Sequence, residues 1–377
     1  PTPIPLILWT NNIVAPRTEL PGGDTLTTQL NAFNNSHPDV SLHVSTKNST
    51  GPGGILQYLR TGRTIAPDIL PDLILLPTEQ IPSVYQEGLI YAIGDQLPVD
   101  MLNDLYPAAL TLGQVNDELI AYPYLLNNLQ HVAYNDTLTT TLTTDWSDLL
   151  DTNAKLTIAA DGSAGARLAL AFYIAFGGQL TNDAGQNNWD PDILTTALNE
   201  LENARRAGLI IPASSTNVTL DDNWLLFEEN SASVVQTNAN LFLNKREAGF
   251  NSRFAPIPGP NGPLPAHVTG WAWAITTTDP VRQALAIELL TWLSSPANLG
   301  QWTTQTNYLP ARRSAWEEWP NPNDDYILFL QAELERARPF PPTATTALMG
   351  RLETAVAEVI SLAKPAAAAA EAAAAPP

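Results

Sequence analysis

The sequence of 377 residues contains no cysteine. This absence excludes disulfide bonds, thiolate nucleophiles and cysteine-ligated metal sites, and it leaves the cellular compartment open. Basic residues are also scarce, with 18 lysines and arginines against 38 aspartates and glutamates, which gives a formal net charge of −20. A chain of this charge repels polyanions at long range, so nucleic acid and bare anionic membrane are poor partners.

Long hydrophobic runs are missing too. No stretch approaches the roughly 18–20 apolar residues that cross a bilayer, and no basic and apolar signal segment opens the chain. We therefore expect that export, if it occurs, has removed a targeting segment, and that the Pro/Thr-rich residues 1–5 end a stiff linker from an anchor. With 44% hydrophobic and 15% charged residues, the chain is typical of a globular protein of two or three domains.

Short apolar runs alternate with amphipathic stretches along the chain, which predicts the α/β class. The predicted strands are residues 4–9, 40–44, 72–76, 131–134, 156–159, 233–236 and 271–275. The predicted helices are residues 25–34 capped by Asp24, 55–60, 146–150, 168–176, 190–208 and 281–293, followed by the helical face of Leu352, Val356, Val359 and Ala363. The helix at 190–208 is the best marked, with Asp190 as N-cap, Pro191 in its first turn and Gly208 at its end.

Three irregular stretches, residues 126–130, 254–263 and 308–312, divide this alternation. They predict one lobe built from residues 1–126 and 259–310, and a second from 127–258 and 311–364. Residues 365–377 form a tail rich in alanine and proline. We expect this tail to be frayed, because an isolated helix needs roughly 12–15 residues for marginal stability.

Motifs for catalysis or for metal binding are weak. Ser163 lacks the glycine that a nucleophile elbow needs two residues earlier, residues 51–54 lack the Lys-Ser/Thr of a phosphate loop, and residues 183–192 lack the ligand series of a calcium loop. None of the histidines is paired at the spacing of a helical metal site; they are His37, His43, His131 and His267. We therefore expect no enzyme activity, no metal and no cofactor.

The ten tryptophans are more informative. Trp271 and Trp273 lie two residues apart on a predicted strand and so share one face. Flat aromatic rings beside carboxamides are surfaces on which sugar rings stack and form hydrogen bonds. Ordinary core packing is the alternative for both residues, and the sequence leaves this alternative open.

Short motifs in a shared order resemble the extracellular solute-binding proteins of ABC importers, the large family that includes the maltose-binding protein. The resemblance extends over about residues 6–360. Among its motifs are Ile7-Leu8-Trp9-Thr10, His37-Pro38-Asp39-Val40, Ala66-Pro67-Asp68, Leu119-Ile120-Ala121-Tyr122-Pro123, Tyr134-Asn135-Asp136-Thr137-Leu138, Pro256-Ile257-Pro258-Gly259 and Tyr308-Leu309-Pro310-Ala311.

The resemblance implies a periplasmic-binding-protein-like fold of type II, with two α/β lobes joined by a multi-crossing hinge and the ligand between them. It also implies a monomeric, lipid-anchored protein of the periplasm or cell surface. Such a protein captures a small polar ligand, foremost a mono- or oligosaccharide, by hinge closure and delivers it to the permease subunits. The alternatives are a sensory module of the same fold, an extracellular carbohydrate-active enzyme, or a different ligand such as a polyol, a glycerophosphodiester or a polyamine.

Carried over by motif, the resemblance assigns ligand contacts to strand ends, turns and crossings. These residues are Thr10, Asn11, Asn12, Glu79, Asn127, Ser163, Asn238 or Asn240, Trp271 and Tyr308. Many sugar-binding members have an aromatic residue after the strand that ends here at Gln236, whereas this chain has Thr-Asn-Ala-Asn at 237–240. The pocket is therefore expected to be rich in carboxamides and to offer fewer stacked rings.

Overall fold

The computed structural model describes residues 2–49, 51–65, 69–139, 142–160, 162–181, 187–211 and 219–375. The Ala66-Pro67-Asp68 motif and part of the acidic stretch at 183–192 lie outside these residues. The chain forms two compact units, unit 1 with Pro1–Asn127 and Val268–Glu335, and unit 2 with Asn128–His267 and Arg336–Pro377. It therefore passes from one unit to the other three times. Within the described residues, every helix is too short or too polar to cross a membrane.

The secondary structure follows the alternation predicted from the sequence. The strands are β1 Ile4–Thr10, β2 Val40–Thr46, β3 Leu73–Pro77, β4 Gln114–Val115, β5 Glu118–Leu119, β6 Tyr122–Asn127, β7 Gln130–Tyr134, β8 Leu156–Thr157, β9 Val234–Asn238, β10 Arg253–Ala255, β11 His267–Ile275, β12 Leu309–Pro310 and β13 Arg338–Pro339. The helices are α1 Gly23–Ser36, α2 Ile55–Ile65, α3 Ile81–Gln86, α4 Val99–Asn103, α5 Pro107–Leu112, α6 Trp146–Leu150, α7 Ser163–Ala175, α8 Pro191–Arg206, α9 Leu220–Glu228, α10 Ala239–Glu247, α11 Pro280–Leu293, α12 Pro296–Thr306, α13 Asp325–Arg336, α14 Thr346–Ile360 and α15 Ala366–Ala374.

The main sheet of unit 1 has the strand order β12-β6-β11-β3-β1-β2. Strands β1, β2 and β3 are parallel, whereas β11 runs antiparallel to both β3 and β6, and β12 runs antiparallel to β6. Leu73, Ile74, Leu75 and Leu76 of β3 are all fully buried. A continuous apolar run of this kind is typical of a central strand that is covered on both faces.

The sheet of unit 2 is smaller, with the order β10-β7-β9-β8. Strands β8 and β9 are parallel, and β7 is antiparallel to both β9 and β10. The apolar faces of α7, α8, α14 and α15 form one continuous core that includes buried residues of this sheet.

Helix capping shows where local sequence rules hold and where they fail. Asp190 accepts hydrogen bonds from the backbone N–H groups of Asp192 and Ile193, so the prediction for α8 is confirmed. The predicted cap of α1 is wrong, because Asp24 lies inside the first turn and the N-cap is Gly22. Gly22 has a φ of 71°, and a Cβ there would lie 2.8 Å from the Trp302 and Thr306 side chains, so only glycine suits the position.

The two units differ from the predicted lobes at Asn127, which belongs to unit 1, in the tail, which belongs to unit 2, and in two longer segments. Residues 259–267 belong to unit 2, since the Trp146 N–H donates to the Gly259 carbonyl at 2.9 Å and the Leu264 N–H donates to the Ile257 carbonyl at 2.9 Å. Residues 311–335 belong to unit 1, where the Arg312 guanidinium forms an ion pair with Asp104 at 2.7 Å. Both irregular stretches therefore stay inside a unit, and the chain crosses only after His267 and after Glu335.

The alanine-rich tail is a packed helix, so the expectation of a frayed tail is wrong. Ala366, Ala369, Ala370 and Ala373 of α15 are buried in the unit 2 core. A Glu202 carboxylate oxygen accepts the Ala366 N–H at 2.6 Å. This bond satisfies a donor at the start of the helix that has no acceptor within the helix. Tertiary packing of this face supplies the stability that so short a helix lacks in isolation.

Candidate functional site

The residues predicted in unit 1 gather at one edge of its main sheet. Strands β1, β3 and β6 all end at this edge, because β11 is antiparallel to both β3 and β6 while β1 is parallel to β3. Strand β12 begins there, with Leu309 paired to Leu126. The edge therefore carries Thr10, Asn11, Asn12, Glu79, Asn127, Trp271 and Tyr308.

Two of these residues close the loop after β1. The Thr10 hydroxyl donates to the Val14 carbonyl, and the Asn11 side-chain oxygen accepts the Ile13 N–H at 2.8 Å. Both residues are fully buried, whereas Asn12 is exposed. Thr10 and Asn11 thus shape the loop that presents Asn12, and the Thr10 hydroxyl and the Asn11 side-chain oxygen are engaged by backbone groups, whereas the buried Asn11 side-chain nitrogen has no hydrogen-bond partner among the described residues.

Asn127 and Trp271 lie on adjacent strands. The Thr269 hydroxyl donates to the Asn127 side-chain oxygen at 2.5 Å, and the Gly270 N–H donates to the Thr78 hydroxyl at 3.0 Å. A Cβ at Gly270 would lie 2.4 Å from the Leu125 carbonyl oxygen, so the close approach of β6 requires glycine there. These contacts fix the strand immediately before Trp271 and the turn that carries the exposed Glu79.

The aromatic residues of this edge divide into core and surface. Trp273 is fully buried, and its ring centroid lies 5.3 Å from that of Tyr124. For this residue the structure therefore shows core packing, the alternative that the sequence left open. Trp271 is only partly buried, and Tyr308, also partly buried, stacks on Trp302 at 6.1 Å. Burial raises the pKa of the Tyr308 hydroxyl, so it remains a neutral donor and acceptor at neutral pH. Trp271 and Tyr308 are therefore less covered than Trp273, and their role in ligand binding stays a prediction.

A residue that sequence reasoning missed lies beside the same edge. The Lys47 ammonium group is 4.5 Å from the ring centroid of Trp9 and 4.5 Å from that of Tyr58, while the Lys47 backbone N–H donates to the Thr10 carbonyl. A cation held by two rings places a positive charge next to the end of β1. Nothing in the local sequence of Lys47 indicated this arrangement, because Tyr58 comes from a separate helix.

The residues predicted in unit 2 come together around a cavity of about 520 Å³ at one edge of the smaller sheet. Its lining residues are Asn128, Gln130, Ala159, Gly162, Ser163, Ala164, Arg167, Thr219, Leu220, Asp221, Asn238, Asn240, Leu241 and Asn244. Strand β7 begins at this edge and β9 ends there, with Gln130 paired to Asn238. Five of the described lining residues are carboxamides and none is aromatic.

Three helices begin at this cavity, and they differ in how their first N–H groups are satisfied. Thr219 and Asp222 form a capping box at α9, and the Asn238 side-chain oxygen accepts the Leu241 N–H at α10. Helix α7 has Gly162 at its N-cap, with a φ of 84° and no side-chain cap. Its first N–H groups and the exposed Ser163 hydroxyl are therefore available to hydrogen-bond a ligand oxygen.

Among the described lining residues the charges balance, since Arg167 and Asp221 contribute one of each sign. The Arg167 guanidinium lies 4.1 Å from the centre of the Phe340 ring. Burial, together with Arg167 and Arg338, lowers the pKa of the nearby His267 to about 4, so this imidazole is neutral at neutral pH. A cavity of balanced charge favours a neutral polar ligand over a strongly charged one.

Of the lining residues, the sequence-based prediction contained Ser163, Asn238 and Asn240. It did not contain Asn128, Gln130, Arg167, Thr219, Asp221 or Asn244 as contacts. One available signal was the spacing of Asn240 and Asn244, which lie four residues apart on α10 and so share a face. Thr219 and Asp221 are far in sequence from Ser163, and only the tertiary structure brings them to the same cavity.

Comparisons with known proteins agree with this architecture. The solved cyclic alpha-maltosyl-1,6-maltose binding protein of Arthrobacter globiformis is similar over 99% of this chain and 97% of its own, with a TM-score of 0.77 and 17% identity. The sugar-binding protein MalE of Xanthomonas citri is similar over 97% of this chain and 94% of its own, with a TM-score of 0.79 and 17% identity. At such identities the likeness establishes the fold, which is that of the type II periplasmic binding proteins.

A third structure, maltose-binding periplasmic protein MalE of Listeria monocytogenes in complex with maltose, gives a TM-score of 0.71 at 16% identity, over 98% of this chain and 95% of its own. No curated protein matches the sequence. The family model described as bacterial extracellular solute-binding protein matches residues 28–325, well over half of the chain. The chain therefore belongs to the bacterial extracellular solute-binding proteins.

Proposed function

We propose that this protein captures a neutral, hydroxyl-rich ligand, foremost a mono- or oligosaccharide, for an ABC importer, and that it does so without chemical conversion. The observation that carries the proposal is the unit 2 cavity, with its five carboxamide side chains and balanced charge. The sugar ligands named for the solved relatives support the same class.

Carboxamides suit such a ligand because each one offers two N–H donors and a carbonyl acceptor. A sugar hydroxyl also donates and accepts, so paired hydrogen bonds form without placing an unpaired charge in the site. Polyamines and glycerophosphodiesters carry full charges, and the described lining residues offer one acidic group, Asp221, and one basic group, Arg167, to meet them. The geometry therefore favours hydroxyl groups over charged groups.

Unit 1 supplies a different kind of surface. Its sheet edge presents the partly buried rings of Trp271 and Tyr308, together with polar groups of Asn12, Glu79 and Asn127. An aromatic face gains from contact with the C–H groups of a sugar ring, while the polar neighbours orient its hydroxyls. We infer that the unit 1 edge is suited to stacking and that the unit 2 cavity is suited to hydrogen bonding.

The cellular setting is part of the proposal. Family membership supports a site of action outside the cytoplasm, and we propose a monomer held at the periplasm or cell surface by a lipid anchor. Fractionation of the native cells with and without lipoprotein-processing inhibitors tests the anchor, and light scattering tests the monomer, whose expected mass is 40.7 kDa. Recovery of the protein in the cytoplasmic fraction would contradict this setting.

A thermal-shift screen tests the ligand class. The panel contains maltose, maltotriose, trehalose and sorbitol, with spermidine and glycerophosphocholine as charged compounds. A ligand at 100 times its dissociation constant adds about 2.7 kcal/mol to folding, which corresponds to several degrees in Tm for domains of this size. We expect a shift with a saccharide or polyol and unchanged ligand by NMR after prolonged incubation. A shift with the charged compounds alone, or turnover of the ligand, would overturn the proposal.

A further inference from the structure

We propose that Gln236, which is not among the lining residues of the unit 2 cavity, is a positioning residue for the ligand site. Its carboxamide holds the start of α7 and the exit from β8 against β7, and so sets the geometry of the carboxamide lining. This inference rests on the proposed function of the cavity, and it adds a residue that makes no ligand contact.

Gln236 lies in β9 and is 1% exposed. Its side-chain oxygen accepts the Ala159 N–H at 3.0 Å, and its side-chain nitrogen donates to the Ala164 carbonyl at 3.0 Å and to the Gln130 side-chain oxygen at 3.3 Å. Ala159, Ala164 and Gln130 all line the cavity. One buried side chain therefore connects three lining residues from three different segments.

Gln130 completes the arrangement. Its side-chain nitrogen donates to the same Ala164 carbonyl at 3.2 Å, so two carboxamides converge on one oxygen in the first turn of α7. The Ala159 N–H and the Ala164 carbonyl have fixed donor and acceptor roles, and together they determine which way the Gln236 amide is turned. Gln130, which is 8% exposed, is oriented in turn by Gln236.

This network matters for binding because hydrogen bonds to a ligand are sensitive to small displacements. A binding site has to be held within about 0.5 Å of its productive geometry by residues whose own side chains are locked. The start of α7 carries Ser163 and the uncapped N–H groups, and the turn before it has a left-handed glycine that permits many conformations. Gln236 supplies a fixed contact on each side of this glycine-containing turn, at Ala159 and at Ala164.

The test compares Gln236→Met with the matched control Thr157→Val. Thr157 is fully buried on β8 and donates to the Asn223 side-chain oxygen at 2.7 Å, but it does not line the cavity. Both variants lose a buried hydrogen bond, and we expect both to lower the unfolding temperature. Only Gln236→Met should speed hydrogen exchange in the peptide that contains Ala159 and Ala164, because only this variant removes the acceptor for the Ala159 N–H.

The second readout is affinity for maltotriose by calorimetry. We expect Gln236→Met to bind at least about tenfold more weakly, as is usual for loss of a residue that orients direct ligands, and Thr157→Val to bind as the wild type does. A third variant, Gln236→Glu, keeps the acceptor for Ala159 and loses at least one of the two donated bonds, since a buried carboxyl group carries at most one donor. It should retain normal exchange at Ala159 and still bind maltotriose more weakly, and it provides the test if Gln236→Met fails to fold.

Unchanged exchange in Gln236→Met overturns the positioning role whatever the ligand is. Equal losses of affinity in Gln236→Met and Thr157→Val overturn it as well, because they would reflect general destabilisation. Failure of the wild-type protein to bind maltotriose counts against the proposed ligand class alone, and the exchange measurement still decides the role of Gln236.

Discussion

At the residue scale, Trp271 and Trp273 lie on the same strand and the same face, yet they differ in burial. Trp273 is fully buried beside Tyr124, whereas Trp271 is partly exposed at the edge of the unit 1 sheet. The spacing of two residues predicted the shared face but not which ring is covered. The Trp273 ring packs against Tyr124 of the neighbouring strand, a contact that is not apparent near the tryptophans in the sequence.

The two tryptophans therefore form a matched pair for mutagenesis. We expect Trp273→Ala to lower the free energy of unfolding by about 3–5 kcal/mol, because it opens a cavity in the core. Trp271→Ala should cost far less stability and weaken saccharide binding by about 3- to 10-fold, through loss of a stacking surface. Urea unfolding and calorimetry measure the two effects. Unchanged affinity in Trp271→Ala would remove its ligand role.

Buried histidines predict how stability depends on pH. Burial lowers the pKa of His131 to about 4, against about 6.5 in an unfolded chain. The unfolded state then binds more protons than the folded state, so this residue weakens stability as the pH falls from about 6.5 to 4. His267, whose pKa is also lowered to about 4, acts in the same direction.

We therefore expect His131→Phe, which keeps an aromatic ring beside Phe242, to lose less stability between pH 7 and pH 4.5 than the wild type does. Urea unfolding at the two pH values provides the comparison. An identical loss in both proteins would show that His131 does not contribute.

At the scale of elements, local signals predicted the helices with strong caps and misjudged those stabilised by packing. Helix α8 carries Asp190, Pro191 and a regular apolar stripe, so its start and its buried face followed from the sequence. Helix α15 has alanine at nearly every position, and its helical propensity alone is too weak over nine residues. Packing against α8 and α14 stabilises this helix. Such tertiary packing leaves no pattern in the local sequence of α15.

The packing of α15 can be tested with two substitutions in the same helix. Ala370 is fully buried and Ala368 is exposed. We expect Ala370→Glu to lower the free energy of unfolding by at least about 2 kcal/mol, because it places a charged and larger side chain in a close-packed core. Ala368→Glu should change the same quantity by less than about 0.5 kcal/mol. Equal effects on denaturant unfolding would mean that α15 does not pack as described.

The crossings between units show a second limit of local signals. Proline- and glycine-rich residues 254–263 suggested a connector, yet Gly259 accepts a hydrogen bond from Trp146 inside unit 2. Irregular backbone marks a loop, but whether that loop leaves a unit depends on its long-range hydrogen bonds. The position of the candidate residues after β1 and β3 was more predictable, since the carboxyl ends of parallel strands share a sheet edge; their contact with a ligand stays a prediction.

At the scale of the whole molecule, capture by hinge closure stays a prediction from the family resemblance. If closure occurs, the ligand shifts an equilibrium between an open and a closed conformation by its preference for the closed one. We expect the radius of gyration from small-angle X-ray scattering to fall when a saturating saccharide is added, and to stay constant with spermidine. A binding saccharide that leaves the radius of gyration unchanged would contradict closure.

If carboxamides of unit 2 bind a hydroxyl-rich ligand, removing one of them must weaken binding. Two asparagine variants, one inside the cavity and one outside it, provide the most direct test. Asn244 and Asn203 are both exposed asparagines on helices of unit 2, but only Asn244 lines the cavity. Calorimetry with the compound that gives the largest thermal shift should show Asn244→Ala binding about 3- to 10-fold more weakly than the wild type, the expected cost of one neutral hydrogen bond. Asn203→Ala should bind as the wild type does. Equal affinity in all three proteins would contradict the claim that this cavity is the ligand site.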